Sequence, residues 1–140
     1  TITYGYDAAG RVTSATLPNG GIVTSTYDDC GNLLASTDPL GRVTSYSYDD
    51  ANQKTAMTDP RGRTTSYGYD LAGRLTTVTD PMQGAVTYGF DPAGRMTSVT
   101  DQLSLTTTFT YDPNGNQLTA TDPLNQTATT VYDALNRVVA

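Results

Sequence analysis

An aromatic residue followed by Asp occurs seven times at a constant 21-residue interval: Tyr6-Asp7, Tyr27-Asp28, Tyr48-Asp49, Tyr69-Asp70, Phe90-Asp91, Tyr111-Asp112 and Tyr132-Asp133. No insertion interrupts the series. A strict period of this length makes each unit one supersecondary element that needs its neighbours to cover it. Three residues after each Asp stands Gly or Asn: Gly10, Gly31, Asn52, Gly73, Gly94, Gly115 and Asn136. These are the residues that enter positive φ at least cost. Asp opening and Gly or Asn closing predicts a type I turn ended by a left-handed residue, a common three-residue hairpin loop. Pro92 and Pro113 fall at the second turn position, where a fixed φ suits that turn.

A second break follows ten residues after the Asp of the first. Its clearest copy is Asp38-Pro39-Leu40-Gly41-Arg42, echoed by Asp59-Pro60-Arg61-Gly62-Arg63 and Asp122-Pro123-Leu124-Asn125. The fourth unit reads as shifting its glycine to Gly84. The fifth, Asp101-Gln102-Leu103-Ser104, lacks both Pro and Gly and is expected to be the most irregular and mobile. Between the turns lie two short strands per unit, typified by Thr64–Tyr69 and Leu75–Thr79. Connections this short cannot make parallel crossovers, so the strands form an antiparallel meander.

Alternation puts Val86, Tyr88 and Phe90 on one face of their strand. With Asp70 opposite Arg74, Tyr69 lands opposite Leu75, a favourable cross-strand pair. Asp7 with Arg11, Asp91 with Arg95 and Asp133 with Arg137 would be surface ion pairs that mark register. The odd period then sets a constraint. Two three-residue loops joined by unbulged strands would send equivalent tyrosines to alternate faces. One compensating residue per repeat is therefore expected, as a β-bulge or an even-length second loop.

Composition agrees with an all-β chain. The 14 acidic residues are all Asp, there is no His or Trp, and Thr numbers 27. Leu, Ile, Val and Phe are too few for an ordinary two-layer core, so stability should come from stacking neighbours. A net charge of −6 with eight scattered cations argues against nucleic-acid binding. No apolar run is long enough to span a membrane as a helix. Cys30 is alone, at a turn position where sister repeats carry Ala, and permits no internal disulfide and makes no metal site. The chain begins without Met inside one unit and stops inside another, and reads as an excised fragment. Strand edges exposed at the cut ends should fray or self-associate.

Catalysis is not expected, because His and Glu are absent and every Asp belongs to a repeated turn slot or lies beside one. Calcium on the Asp ladder is a weaker reading than turn formation, since each turn class supplies one Asp per repeat. Carbohydrate binding or adhesion through the tyrosine rows is the rival function, because aromatic ladders can stack on sugar rings. The competing role for those tyrosines is packing against Val12, Leu75 and Met96 as the sheet's apolar face.

The run Tyr67-Gly68-Tyr69-Asp70-Leu71-Ala72-Gly73-Arg74-Leu75, followed by copies of Thr-Asp-Pro-Leu-Gly-Arg, closely resembles the YD repeat, also called the Rhs repeat. The resemblance covers residues 1–140 as one repeat array. Departures are local: Ser25 and Thr130 replace the first aromatic, and Asn32, Gln53 and Asn116 replace the turn Arg. Members include bacterial Rhs and wall-associated polymorphic toxins, shell components of insect-active toxin complexes, and teneurins. The resemblance implies a curved or spiral antiparallel hairpin sheet that forms part of a hollow β-shell. It implies neighbouring repeats and an enclosed C-terminal toxin polypeptide as partners, no cofactor, and a secreted or cell-surface bacterial setting. Seven units are too few to close such a shell.

Overall fold

The computed structural model describes all of residues 1–140. It holds thirteen antiparallel strands, hydrogen-bonded in chain order as one sheet, with no helix. By contact density the chain divides into two units, Thr1–Tyr67 and Gly68–Ala140.

The first unit carries β1 (Thr3–Tyr6), β2 (Val12–Thr16), β3 (Ile22–Tyr27), β4 (Leu33–Thr37), β5 (Val43–Tyr48), β6 (Lys54–Thr58) and most of β7 (Thr64–Tyr69). The second carries β8 (Leu75–Thr79), β9 (Ala85–Phe90), β10 (Met96–Thr100), β11 (Thr106–Tyr111), β12 (Gln117–Thr121) and β13 (Thr127–Thr129). From β3 to β12, odd strands have six residues and even strands five. With five residues in each intervening turn, the period closes at the interval seen in the sequence.

The unequal strand lengths come from the expected compensating residue, and it is a bulge. Gly5 pairs with Ser14, but the next residue, Tyr6, pairs with Val12, so Thr13 is extra. The same shift recurs at Tyr27↔Leu33, Tyr48↔Lys54, Phe90↔Met96 and Tyr111↔Gln117. The strand pairs on the other side of each even strand run without a shift. Both loops of each repeat therefore have three residues, and the alternative of an even-length second loop is excluded.

The bulge keeps the aromatics in phase. In the first unit, alternation and pairing place Tyr4, Tyr6, Tyr27, Tyr46, Tyr48 and Tyr67 on one face. In the second, Tyr88, Phe90, Phe109 and Tyr111 share a face with Val78, Val86 and Val99. The opposite face is mostly small and polar, with Ile22 and Val43 among its larger apolar residues. There, threonine hydroxyls pair across strands at Thr58–Thr64 (2.9 Å), Thr100–Thr106 (2.8 Å) and Thr121–Thr127 (2.9 Å).

No residue of the chain is buried, apolar or polar. The strands are mostly half-exposed, and the largest side chains lie along the sheet rather than inside a second layer. Local hydrogen bonds, cross-strand pairs and contacts between successive repeats must therefore do what a core does elsewhere.

Two expectations about the second turn need correction. In the fourth unit Gln83, not Gly84, takes the left-handed conformation, at φ 69°. Gly84 instead occupies the next position, where its carbonyl accepts from the Asp80 amide at 2.8 Å. In the fifth, Ser104 adopts φ 62° and its amide donates to the Asp101 carbonyl at 3.0 Å, so this turn is as regular as the others. The flanking ladder and the Asp side chain impose the loop, and the residue at its tip conforms.

Candidate functional site

Each aromatic-Asp turn is built from its Asp outward. The Asp7 amide donates to the Arg11 carbonyl and the Gly10 amide to the Asp7 carbonyl, both at 3.0 Å, closing the loop. The carboxylate then fills it: Oδ1 accepts from the Ala9 and Arg11 amides, each at 2.9 Å. Oδ2 accepts from Arg11 Nε at 2.7 Å. An ionised carboxylate is acceptor-only, so a ring of amides and one guanidinium suits it fully.

The Gly10, Gly31, Asn52, Gly73, Gly94, Gly115 and Asn136 slots all have positive φ, between 59° and 93°. Asp28, Asp49, Asp70, Asp91, Asp112 and Asp133 repeat the loop, each accepting with its carbonyl from that left-handed residue. Every Asp–Arg ion pair expected from spacing is present, at 2.7 Å for Asp7–Arg11, Asp91–Arg95 and Asp133–Arg137. The second turns add Asp38–Arg42 and Asp59–Arg63, each at 2.6 Å.

These bonds hold eight carboxyls below the ordinary carboxylate range. For Asp7, Asp38, Asp70, Asp91 and Asp133 the main cause is the backbone amide of the Arg that closes the turn. For Asp28, Asp59 and Asp112 it is a side-chain donor, from Asn32, Arg63 and Asn116 respectively.

The turn also grips its successor, which spacing alone did not reveal. Arg11 Nη1 donates to the Asp28 carbonyl at 2.7 Å, and its guanidinium lies 5.0 Å from the Tyr27 ring centroid. Arg74 does the same to Asp91 (2.9 Å) and Phe90 (4.9 Å), and Arg95 to Asp112 (2.7 Å) and Tyr111 (4.9 Å). Planar guanidinium, with several donors in fixed geometry, can serve its own Asp, the next carbonyl and a ring together. The effect on exposure is large: Arg11, Arg74 and Arg95 side chains are 30–32% exposed, whereas Arg137, which makes no such reach to a later turn, is 72% exposed.

The tyrosines reach the other way. Tyr27 Oη donates to the Val12 carbonyl (2.9 Å), Tyr48 to Leu33 (3.1 Å), Tyr111 to Met96 (2.7 Å) and Tyr132 to Gln117 (3.2 Å). Each acceptor sits beside the bulge of the preceding repeat. The readable signal was the choice of Tyr over Phe at six of seven positions, since a half-covered hydroxyl seeks a partner. Lys54 joins in by lying 4.6 Å from the Tyr67 centroid and 6.0 Å from that of Tyr46.

Within each of the two units the aromatic-Asp pairs thus form two linked rows, turns and rings, rather than one convergent cleft. No three Asp or Cys side chains gather as a metal site would require. Rings capped by cations, with hydroxyls bonded to main chain, have a structural task already.

A sequence profile described as the RHS repeat matches residues 1–22, 27–64, 49–81, 69–102, 90–127 and 111–140. No curated protein matches the chain in a sequence search. Among solved structures it resembles a chain in the crystal structure of TcdB2-TccC3-Cdc42, with TM-score 0.75, 22% identity, and coverage of 94% of this chain and 8% of that one. The crystal structure of TcdB2-TccC3-TEV gives TM-score 0.77, 21% identity, and coverage of 99% and 9%. A Tc holotoxin pore of Photorhabdus luminescens gives TM-score 0.59, 21% identity, and coverage of 99% and 10%. The chain therefore spans about a tenth or less of the solved chains it matches.

Proposed function

Because the chain belongs to the RHS repeat family, we propose that residues 1–140 are a wall segment of a larger β-shell that encloses a polypeptide of the same protein. The observation that supports this most is the two-way grip between successive repeats in a chain with no buried residue. Such a sheet gains its contacts by adding units, not by closing round a core. The likeness to TcdB2-TccC3 chains, of which this chain spans 8–9%, fits a segment of that kind of structure.

On this reading the aromatic, Asp and Gly or Asn positions are a structural signature, and the protein's role is containment rather than catalysis. The enclosed polypeptide would be a toxin at the C-terminal side, held until delivery, and the protein would act outside the producing cell, secreted or at its surface. Glycan adhesion would need open tyrosine rings, and the cation caps on Tyr27, Tyr67 and Tyr111 argue against it.

Limited proteolysis of the full-length protein tests the proposal. Containment predicts that the polypeptide after the repeats resists protease while the repeats are folded, and is cut when they are melted. Cleavage of the folded protein at the rate of the free polypeptide would refute it.

A further inference from the structure

Two positions in neighbouring aromatic-Asp turns vary together: the residue after the left-handed one, and the left-handed residue of the next turn, twenty positions on. Arg11 is followed there by Gly31, Arg74 by Gly94 and Arg95 by Gly115. Asn32 is followed by Asn52, and Asn116 by Asn136, while the remaining pair, Gln53 before Gly73, belongs to neither form. Asn52 and Asn136 are the only asparagines in that left-handed slot, and each follows an asparagine rather than an arginine.

The geometry gives the reason. In the arginine form one long side chain spans the gap alone, with Nε on its own Asp and Nη1 on the next Asp carbonyl. A Cβ built on Gly31 would lie 3.9 Å from Arg11 Nη1, and one on Gly94 would lie 3.8 Å from Arg74 Nη1. At these two positions Cβ already reaches contact distance, so the amide of an asparagine would need the space the guanidinium holds; Gly115 is looser, with nothing within 4 Å of a built Cβ.

In the asparagine form each partner supplies half the reach. Asn32 Nδ2 donates to Asp28 Oδ2 at 2.9 Å and to Asn52 Oδ1 at 2.7 Å. Asn116 Nδ2 donates to Asp112 Oδ2 at 2.8 Å and to Asn136 Oδ1 at 2.7 Å. A carboxylate only accepts, so it fixes the first amide with nitrogen inward, and the second must present oxygen. The two forms thus meet the same demand, own carboxylate plus next turn, with different hardware. Neither works in mixed company. Arginine against asparagine crowds the gap, and asparagine against glycine leaves it unbridged.

We infer that these two positions form a single pairing site that decides which repeat can follow which: arginine accepts glycine, and asparagine accepts asparagine. The site couples neighbouring repeats in space.

Two double-mutant cycles on the 140-residue chain test this, read by thermal unfolding. One converts the asparagine form with Asn32→Arg and Asn52→Gly; the other converts the arginine form with Arg74→Asn and Gly94→Asn. The charge change has opposite sign in the two cycles, so coupling of one sign in both cannot arise from net charge. Each double variant should melt about 2–4 °C above the sum of its two single changes. Additive effects, within about 1 °C in both cycles, would overturn the pairing. Where a single change prevents folding, a double variant that folds supports the inference and one that stays unfolded overturns it.

Discussion

In the fifth aromatic-Asp turn Phe90 stands under Arg74 as Tyr27 stands under Arg11, but it brings no hydroxyl to the bulge before it. Phe90→Tyr should therefore add the bond its sister positions have, and Tyr111→Phe should remove the one to Met96. A net protein hydrogen bond is worth about 0.5–1.5 kcal/mol, so denaturant midpoints should move by opposite and comparable amounts. A Phe90→Tyr variant no more stable than the parent would show that the hydroxyls are incidental. Ser104, at φ 62°, offers a second residue-scale test. Ser104→Gly should stabilise the chain by about 1 kcal/mol, because left-handed backbone strains every residue with a Cβ. Conversely, Gly41→Ala should cost about as much: φ there is 76° and nothing lies within 4 Å of the added methyl, so the penalty is purely backbone.

At the scale of the hairpin, the turn carboxylates predict how stability follows pH. Asp7, Asp28, Asp38, Asp59, Asp70, Asp91, Asp112 and Asp133 have folded pKa values below their unfolded ones. A depressed carboxyl contributes stability that is fully present above its unfolded pKa, about 3.9, and is lost as pH falls through the folded value. Melting temperature should be level from about pH 7 to about pH 5 and drop below about pH 4. A midpoint that rose on acidification would contradict the direction of these shifts. The bulge gives a stricter test. Deleting Thr97, the extra residue between Met96 and Ser98, would send every later aromatic to the opposite face. Loss of the cooperative melt is expected; an unchanged melt would mean that facing does not matter.

The turns and the bulge were legible because both follow from local chemistry: Asp with Gly or Asn fixes the loop, and an odd period cannot close without an extra residue. The contacts between repeats were not legible in that way. Whether Arg11 reaches Asp28, or Tyr27 reaches Val12, depends on how strands lie side by side, and no single repeat contains both partners. The expectation for Ser104 failed for a related reason: its turn was judged by its own residues, although the ladder on both sides dictates the loop.

Over the whole molecule, the absence of any buried residue turns the usual account of stability around. Each repeat is held by what precedes and follows it, so the end repeats should be the weakest. Arg137 and Tyr6, with side chains or residues 72% and 60% exposed, already show the difference. This is the behaviour of a wall, whose strength is in its continuity, and it is the property that containment would use. The most direct measurement is the unfolding free energy of chains cut at repeat boundaries, from three aromatic-Asp units up to seven. Neighbour-held repeats predict stability that climbs steadily with each unit added. Stability that stays constant with repeat number would mean that each hairpin holds itself, and would contradict the account.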